Sequence, residues 1–190
     1  MQSVEGKTRR AWNEPGHAHF VTYSCFRRLP LLTRDRTRRW VVDAIASVRD
    51  RHNAAVWGYV IMPEHVHLLL HPLRPRYSMS RLLTALKWPV SRAAREHLTD
   101  IGARRWLDLL TVHYPGREVF RFWQPGGGYD RNIVQEKSIA GVLEYIHANP
   151  VRRGLAKSPI DWEWSSAQYW RGDRDVPLPM DNPFVGRRHA

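Results

Sequence analysis

The sequence predicts an α+β sandwich, in which helices pack on one face of an antiparallel sheet. The first observation is the order of the periodic segments, which runs strand, helix, strand, strand, helix, strand, helix. The second is that turn-forming residues separate these segments, notably Pro63-Glu64 and the glycines 126–128. With two helices on one face of the sheet, this order is that of a ferredoxin-like sandwich.

The first half of the chain supplies three of the strands and one helix. Residues 17–26 alternate as a strand does, and residues 34–51 carry apolar side chains at helical spacing, with Thr33 as the expected N-cap. The apolar runs 59–62 and 65–70 predict two more strands. A proline-containing turn separates them, because proline cannot sit inside a central strand.

The middle of the chain predicts a helix over 79–98 with a proline, Pro89, inside it. Proline removes one hydrogen bond of a helix and clashes with the preceding turn, so we expect a kink or a break there. Two helices, 79–88 and 90–98, are the alternative. Residues 100–118 give weak signals and are interpreted as an inserted hairpin or short helix.

The last third predicts one strand, one helix and a tail. Tyr129–Val134 forms the fourth strand, and residues 138–148 form a helix that Asn149-Pro150 ends. Residues 1–16 are polar and basic and predict a flexible arm. Residues 171–190 are rich in Pro and Arg and predict a loosely ordered tail.

Composition limits the classes of partner. The chain has 190 residues, a formal net charge of +12 and 30 basic residues, of which all but Lys7, Lys87, Lys137 and Lys157 are Arg. Arginine fits phosphate oxygens and stacks on bases, which favours a nucleic-acid partner; codon bias with charge serving only solubility is the alternative. The single cysteine, Cys25, is expected to be a buried apolar residue. With no apolar run of membrane-spanning length, we expect no membrane partner and a cytoplasmic protein.

The sequence His65-Val66-His67 is the first candidate site. Successive side chains of a strand point to opposite faces, so the two imidazoles share one face and can bind a single metal ion. Two half-buried strand histidines without a ligand are the more ordinary interpretation of this motif taken alone.

Tyr145 and Asn149 are the second candidate pair. They are four residues apart and are therefore neighbours on one side of the last helix. Their angular positions place both at the edge of its apolar stripe, where a helix borders a cleft. Taken singly, the tyrosine is an amphipathic boundary residue and the asparagine a helix cap.

Together, these two motifs resemble the single-tyrosine HUH transposases, and most closely the REP-associated tyrosine transposases. The segments that carry the resemblance are 62–67 and 145–151 followed by Gly154, with weaker matches at 123–125, 130–131 and 162–166. It covers roughly residues 17–170 as a single HUH transposase domain, with an insertion near 99–128. It implies a ferredoxin-like fold and a metal-dependent enzyme that cleaves and rejoins DNA at hairpin-associated sites.

The resemblance also implies which residues form the site. His65 and His67 would bind Mg²⁺ or Mn²⁺, and Asn149 would complete the metal site, although asparagine stands where glutamine is seen in better-known relatives. Tyr145 would be the nucleophile that forms a 5′-phosphotyrosine with single-stranded or hairpin DNA, and Tyr129 is the alternative. Relatives can donate the tyrosine helix from a second subunit, so a homodimer is compatible with the resemblance.

Other polar residues near the motifs are given supporting roles. Arg152 and Arg153 follow the tyrosine helix and are candidates to bind phosphates. Glu64, His71 and His147 are expected to orient the histidines or to contact DNA. Further arginines are candidates for DNA binding: Arg27, Arg28, Arg121 and Arg131.

Three other functions compete with this interpretation. A non-catalytic, domesticated protein that binds hairpin DNA on the same fold is the main alternative. A histidine-triad nucleotide hydrolase is excluded because Leu69 occupies the position of its nucleophilic histidine. A structural zinc protein usually needs four strong ligands, and the motif supplies two.

Overall fold

A computed structural model of the chain describes residues 13–184. The main sheet contains four strands, β1, β2, β3 and β6, and a separate hairpin contains β4 and β5. The elements in chain order are β1 (Ala18–Ser24), α1 (Asp35–Arg51), β2 (Ala54–Ile61), β3 (His65–Pro72), α2 (Met79–Asp100), α3 (Arg104–Leu110), β4 (Thr111–Tyr114), β5 (Arg117–Phe120), β6 (Tyr129–Ile133), α4 (Glu136–Arg152) and α5 (Ala167–Trp170).

The main sheet has the order β2-β3-β1-β6, and each neighbouring pair is antiparallel. Numbered along the chain, its strands lie in the order 2-3-1-4, which is the ferredoxin-like arrangement. The predicted α+β fold is therefore confirmed. All eight residues of β2 are buried, because its side chains alternate between two apolar layers, one on each face of the sheet.

Helices lie on both faces of this sheet. Helices α1 and α2 pack against the face that carries Val21, Tyr23 and Leu68, as the prediction of two helices on one face requires. Helix α4 packs against the opposite face, where its apolar side chains meet Phe20 and Leu69. Alternate side chains of the strands thus pack into two separate apolar layers, one on each face of the sheet.

Two helix boundaries differ from the predictions. Helix α1 begins at Asp35, and the residue at its N-cap makes no side-chain capping bond. The hydroxyl of Thr33 donates instead to the carbonyl of Pro30 at 3.2 Å, so its prediction as the N-cap is wrong. Helix α2 continues through Pro89 without interruption, so the two-helix alternative is wrong as well. Apolar packing of both halves of α2 outweighs the hydrogen bond that the proline removes.

Helix α4 also continues past its predicted end at Asn149-Pro150 and reaches Arg152. Gly154 ends it instead, with φ of +68°. The N–H of Leu155 donates to the carbonyl of Pro150, and the N–H of Gly154 donates to that of Val151, which together form a Schellman motif. A proline removes only its own donor, so one more turn can form when such a cap closes it.

The segment after α2 contains both predicted alternatives, a short helix (α3) and a two-stranded hairpin (β4–β5). The tail is better ordered than expected: Leu178 and Met180 are buried, and Asp181 forms a two-pronged ion pair with Arg49 at 2.9 Å. The prediction of a loosely ordered tail is wrong for residues up to 184, because these apolar side chains join the core. The predicted flexible arm lies mostly outside the described residues.

Candidate active site

The two motif histidines meet on the α4 face of the sheet. Both belong to β3 and both are buried, with 7% and 5% of His65 and His67 exposed. Their Nε2 atoms are 3.0 Å apart. The alternation of β3 sends the intervening Val66 into the opposite core layer, so the strand geometry itself brings the two rings together.

Each imidazole is oriented through its other nitrogen. His65 Nδ1 donates to the Glu64 carboxylate at 3.1 Å, and His67 Nδ1 lies 2.7 Å from the Thr22 hydroxyl. The amide Nδ2 of Asn149 donates to His67 Nε2 at 3.1 Å, so that nitrogen is an acceptor and the ring proton belongs on Nδ1. The same tautomer in both rings directs two nitrogen lone pairs at one point.

Asn149 reaches this point because α4 does not end before it. The side chain is buried and lies one turn after Tyr145. Its prediction as a helix cap, in the ordinary interpretation, is therefore wrong: the asparagine is inside the helix and faces His67. The cap at Gly154 makes this placement possible.

Electrostatics keep the imidazoles neutral. Burial, together with a smaller effect of the neighbouring His65, lowers the pKa of His67 to about 3. Burial also lowers the pKa of His65, although Glu64 opposes the shift. Burial alone would raise the pKa of Glu64, but its hydrogen bond to Arg153 and the nearby positive charges lower it overall. Neutral imidazole is the form that binds a metal ion.

Tyr145 lies over the same site, and 39% of its surface is exposed. Its ring centre is 5.4 Å from that of His67 and 5.9 Å from that of Phe20. The alternative nucleophile, Tyr129, also contacts Phe20, at 6.0 Å. No ring contact joins Tyr129 to either histidine among the residues described. The geometry therefore places Tyr145, rather than Tyr129, beside the imidazoles of the same chain.

The arginines proposed to bind DNA divide into two groups. Arg152 lies over the Tyr145 ring at 5.5 Å, and Arg153 forms an ion pair with Glu64 at 2.8 Å. The charge of Arg28 acts on His65, and Arg131 is exposed opposite Phe20 on the edge strand β6. Two others lie elsewhere: Arg27 packs on Phe26, and Arg121 lines a groove at α2.

The two remaining histidines are not part of this cluster. The ring of His71 stacks on Trp57 at 4.9 Å, four residues along β3 from His67. His147 lies on another side of α4, where its Nε2 is 2.9 Å from the Ser166 hydroxyl, and burial lowers its pKa to about 4. The structure gives neither residue a contact with His65 or His67.

Two contributing residues were not predicted from the sequence. Thr22 and Phe20 belong to β1, which is paired with β3 and is therefore opposite His67 and Leu69. The alternation of β1 predicts that both share one face, but only the register of the sheet places that face beside the histidines. No local motif signals this pairing.

The donor set fits a divalent metal ion. Two lone pairs that face each other at 3.0 Å are unfavourable unless a proton or a cation lies between them. Two imidazole nitrogens would leave further coordination positions for ligand oxygens, and Asn149 would supply one of these through Oδ1 if its amide turned so that Nδ2 no longer faced His67. Within residues 13–184, no cluster of three or more His, Cys, Asp or Glu residues could form a different metal centre.

Comparison with known proteins defines the family. The sequence model of the family described as "Transposase IS200 like" matches residues 14–149. This match covers most of the chain, so the chain belongs to the IS200-like transposase family. The prediction of such a transposase from the two motifs is confirmed.

Two of the proteins that match carry the name REP-associated tyrosine transposase. The chain is 23% identical over 168 residues to a Haemophilus influenzae protein provisionally named a REP-associated tyrosine transposase, covering 80% of this chain and 90% of that protein. It is also similar to the solved structure of a REP-associated tyrosine transposase bound to a REP hairpin, with a TM-score of 0.67 and 21% identity. That match covers 86% of this chain and 84% of the other, and it shows the shared fold.

Among the helices of residues 13–184, none combines the length and the apolar character that crossing a bilayer requires.

Proposed function

We propose that this protein is a metal-dependent transposase that cleaves and rejoins single-stranded DNA at hairpin-associated sites through Tyr145. The observation that carries the proposal is the convergence, within one chain, of two imidazole Nε2 atoms 3.0 Å apart, the Asn149 amide and the Tyr145 ring. The catalytic domain would comprise residues 17–170. Its substrate is cellular DNA, which is consistent with a cytoplasmic protein.

The residues of the chain have defined tasks in this proposal. His65, His67 and Asn149 would hold Mg²⁺ or Mn²⁺, which would polarise the scissile phosphate and offset its charge. The Tyr145 oxygen attacks the phosphorus, an O–P bond forms, and the bond from phosphorus to the 3′-oxygen breaks. The phenol loses its proton and the departing 3′-oxygen gains one. The product is a 5′-phosphotyrosine and a free 3′-OH.

Rejoining follows from the same bond. The phosphotyrosine is still a phosphodiester, so a 3′-OH can attack it and release the Tyr145 phenol without an external energy source. Glu64 and Thr22 keep the imidazoles in the required tautomer throughout both steps. Arg153 holds Glu64 through its ion pair.

Phosphate binding would fall to the arginines around the tyrosine. Arg152, beside the Tyr145 ring, and Arg131, exposed on β6, lie on the α4 side of the sheet with the candidate site. Arg28 adds positive charge close to His65. A relative of the same fold is bound to hairpin DNA, which supports a hairpin as the substrate class.

The test is a covalent adduct assay. Purified protein is incubated with labelled hairpin oligonucleotides in Mg²⁺ or Mn²⁺ and analysed on denaturing gels. We expect an SDS-resistant adduct that Tyr145→Phe abolishes and that EDTA prevents. Tyr129→Phe is the matched control, because this tyrosine also contacts Phe20 but has no ring contact to His67.

Each outcome has a distinct meaning. Loss of the adduct in Tyr129→Phe but not in Tyr145→Phe would reverse the assignment of the nucleophile. Tight hairpin binding by the wild-type protein, with no adduct under any cation, would instead identify a domesticated DNA-binding protein.

A further inference from the structure

A groove separate from the candidate active site lies between α2 and the segment 120–128. Its volume is about 870 Å³, which is within the size range of small-molecule sites in proteins. Met79 and Leu83 form one wall and belong to the core layer on the α1–α2 face. The groove therefore opens on the opposite face of the sheet from Tyr145.

The walls of the groove combine an aromatic surface with a fixed loop. Trp88 lines it and is 58% exposed, which is unusual for so large an apolar side chain. Lys87 donates to the carbonyls of Gln124 and Gly126, and the indole of Trp123 donates back to the Lys87 carbonyl at 2.9 Å. These bonds hold the loop in place, so the groove exists before any ligand enters.

Two polar atoms at the groove lack partners. Among residues 13–184, neither Arg121 Nε nor Asp130 Oδ2 makes a hydrogen bond, although both atoms are buried. One is a donor and the other an acceptor, and each belongs to a side chain that lines the groove. An unpaired buried polar atom costs free energy, which a ligand in the groove would recover if the side chain turned toward it. The carboxylate of Asp130 also makes this end of the groove a poor site for a free anion.

A flat ring with both donors and acceptors on its edge satisfies all these features. We infer that this groove binds an unpaired nucleobase of single-stranded DNA, stacked on Trp88 and hydrogen-bonded by Arg121 and Asp130. Stacking of bases on aromatic side chains is the general means by which proteins hold single strands. The inference rests on the proposed function, since it names a second contact with the same substrate.

The groove lies where single-stranded DNA bound in it could also reach Tyr145. Asp130 and Tyr129 are consecutive residues of the edge strand β6, so their side chains lie on opposite faces of the sheet. Asp130 lines the groove, and Tyr129 contacts Phe20 at the candidate active site. Single-stranded DNA that crosses this edge would therefore contact both sites.

The test measures binding in the Tyr145→Phe background, where no covalent product forms. The probe is a fluorescein-labelled hairpin with single-stranded flanks, selected for binding from a randomised pool. A set of derivatives carries one abasic nucleotide at each flank position, and fluorescence anisotropy gives each Kd. We expect one position at which the abasic change weakens binding about tenfold.

Variants of the groove locate that contact. Trp88→Ala should weaken binding of the intact probe about tenfold and should remove the effect of the critical abasic position, since the two changes delete the same contact. Arg121→Gln should also weaken binding of the intact probe. Trp106→Ala is the matched control, because this tryptophan is 43% exposed but does not line the groove. Urea unfolding midpoints verify that the variants fold.

If Trp88→Ala and the abasic change weaken binding independently at every flank position, so that their effects on binding free energy add, the inference is wrong. So would unchanged binding by both groove variants. In either case a Tyr145-dependent adduct would leave the proposed function intact. If the parent binds no hairpin or single strand at all, the proposed function and the inference both fail.

Discussion

At the scale of residues, the site depends on which ring nitrogen of each histidine carries the proton. The sequence motif predicts that His65 and His67 share a face, and the structure brings them to within 3.0 Å. It does not predict Thr22, which is 45 residues away and reaches His67 only through the pairing of β1 with β3. Local periodicity therefore identifies the residues that meet, and the sheet register identifies those that orient them.

Thr22→Val tests this orientation. Valine has the same shape but accepts no hydrogen bond from His67 Nδ1, so the imidazole loses its fixed tautomer. We expect Mn²⁺ affinity, measured by isothermal titration calorimetry, to fall about 10- to 100-fold. Thr22→Ser keeps the hydroxyl and should retain near-parental affinity. Equal losses in both variants would show that packing, and not the hydrogen bond, matters at this position.

His147 gives a prediction about pH. Burial lowers its pKa to about 4 in the folded protein, whereas an unfolded histidine has a pKa near its ordinary value of 6.5. Between these values the unfolded chain binds more protons, so stability falls as the pH is lowered. The measurement is made in EDTA. Between about pH 6.5 and about pH 4.5, we expect the free energy of unfolding to fall by about 2 kcal/mol more in the parent than in His147→Gln.

Urea unfolding at each pH provides the measurement. His52→Gln is the control, since it also removes one histidine, but an exposed one. A His147→Gln curve parallel to that of the parent would contradict the prediction.

At the scale of elements, the main surprise is the end of α4. The prediction of a stop at Asn149-Pro150 followed from the local preference of the residue before proline. The actual stop depends on Gly154, whose φ of +68° allows the Schellman cap, and on the burial of Ile146 and Pro150 near the end of the helix. Tertiary packing thus overrides the local signal and carries Asn149 into the site.

The loop before β6 gives a prediction for an element boundary. Gly128 has φ of +75°, and a Cβ there would collide with the Thr22 carbonyl oxygen. Gly126 has φ of +92°, but a Cβ there meets no atom within 4 Å. Both Ala substitutions impose backbone strain, and only Gly128→Ala adds a backbone clash. We expect Gly128→Ala to lower the free energy of unfolding by roughly 2 kcal/mol more than Gly126→Ala does.

Chemical denaturation of both variants measures this difference. Because the clash falls on Thr22, we also expect Gly128→Ala to weaken Mn²⁺ binding, whereas Gly126→Ala should not. Similar unfolding free energies for the two variants would show that β6 can shift away from β1 at little cost.

At the scale of the whole molecule, one chain contains every group of the proposed site. Tyr145 and His67 of the same chain are in ring contact at 5.4 Å, so no partner subunit is needed to complete the arrangement. The sequence left open whether the tyrosine acts within its own chain or in a second subunit, because no local pattern determines in which direction the short segment between β6 and α4 leads.

Mixing two inactive variants tests this geometry. We expect Tyr145→Phe and His67→Ala, refolded or co-expressed together, to form no adduct, because neither chain holds a complete site. Wild-type protein diluted into either variant should form adduct in proportion to its own amount. Recovery of the adduct in the mixture would show that helix α4 is exchanged between two chains.

The two edge strands of the main sheet, β2 and β6, differ in whether other segments of the chain already pair with their outer edges. Tyr59 and Ile61 of β2 already form main-chain hydrogen bonds with residues 164–166. The Val56 carbonyl accepts from the Asp181 N–H, and the Val56 N–H donates to the Asp181 carboxylate. The border formed by β6 has no such covering strand in the part of the chain between residues 13 and 184. As far as residues 13–184 are concerned, a foreign β-strand could therefore extend the sheet, and start ordered aggregation, along β6 but not along β2.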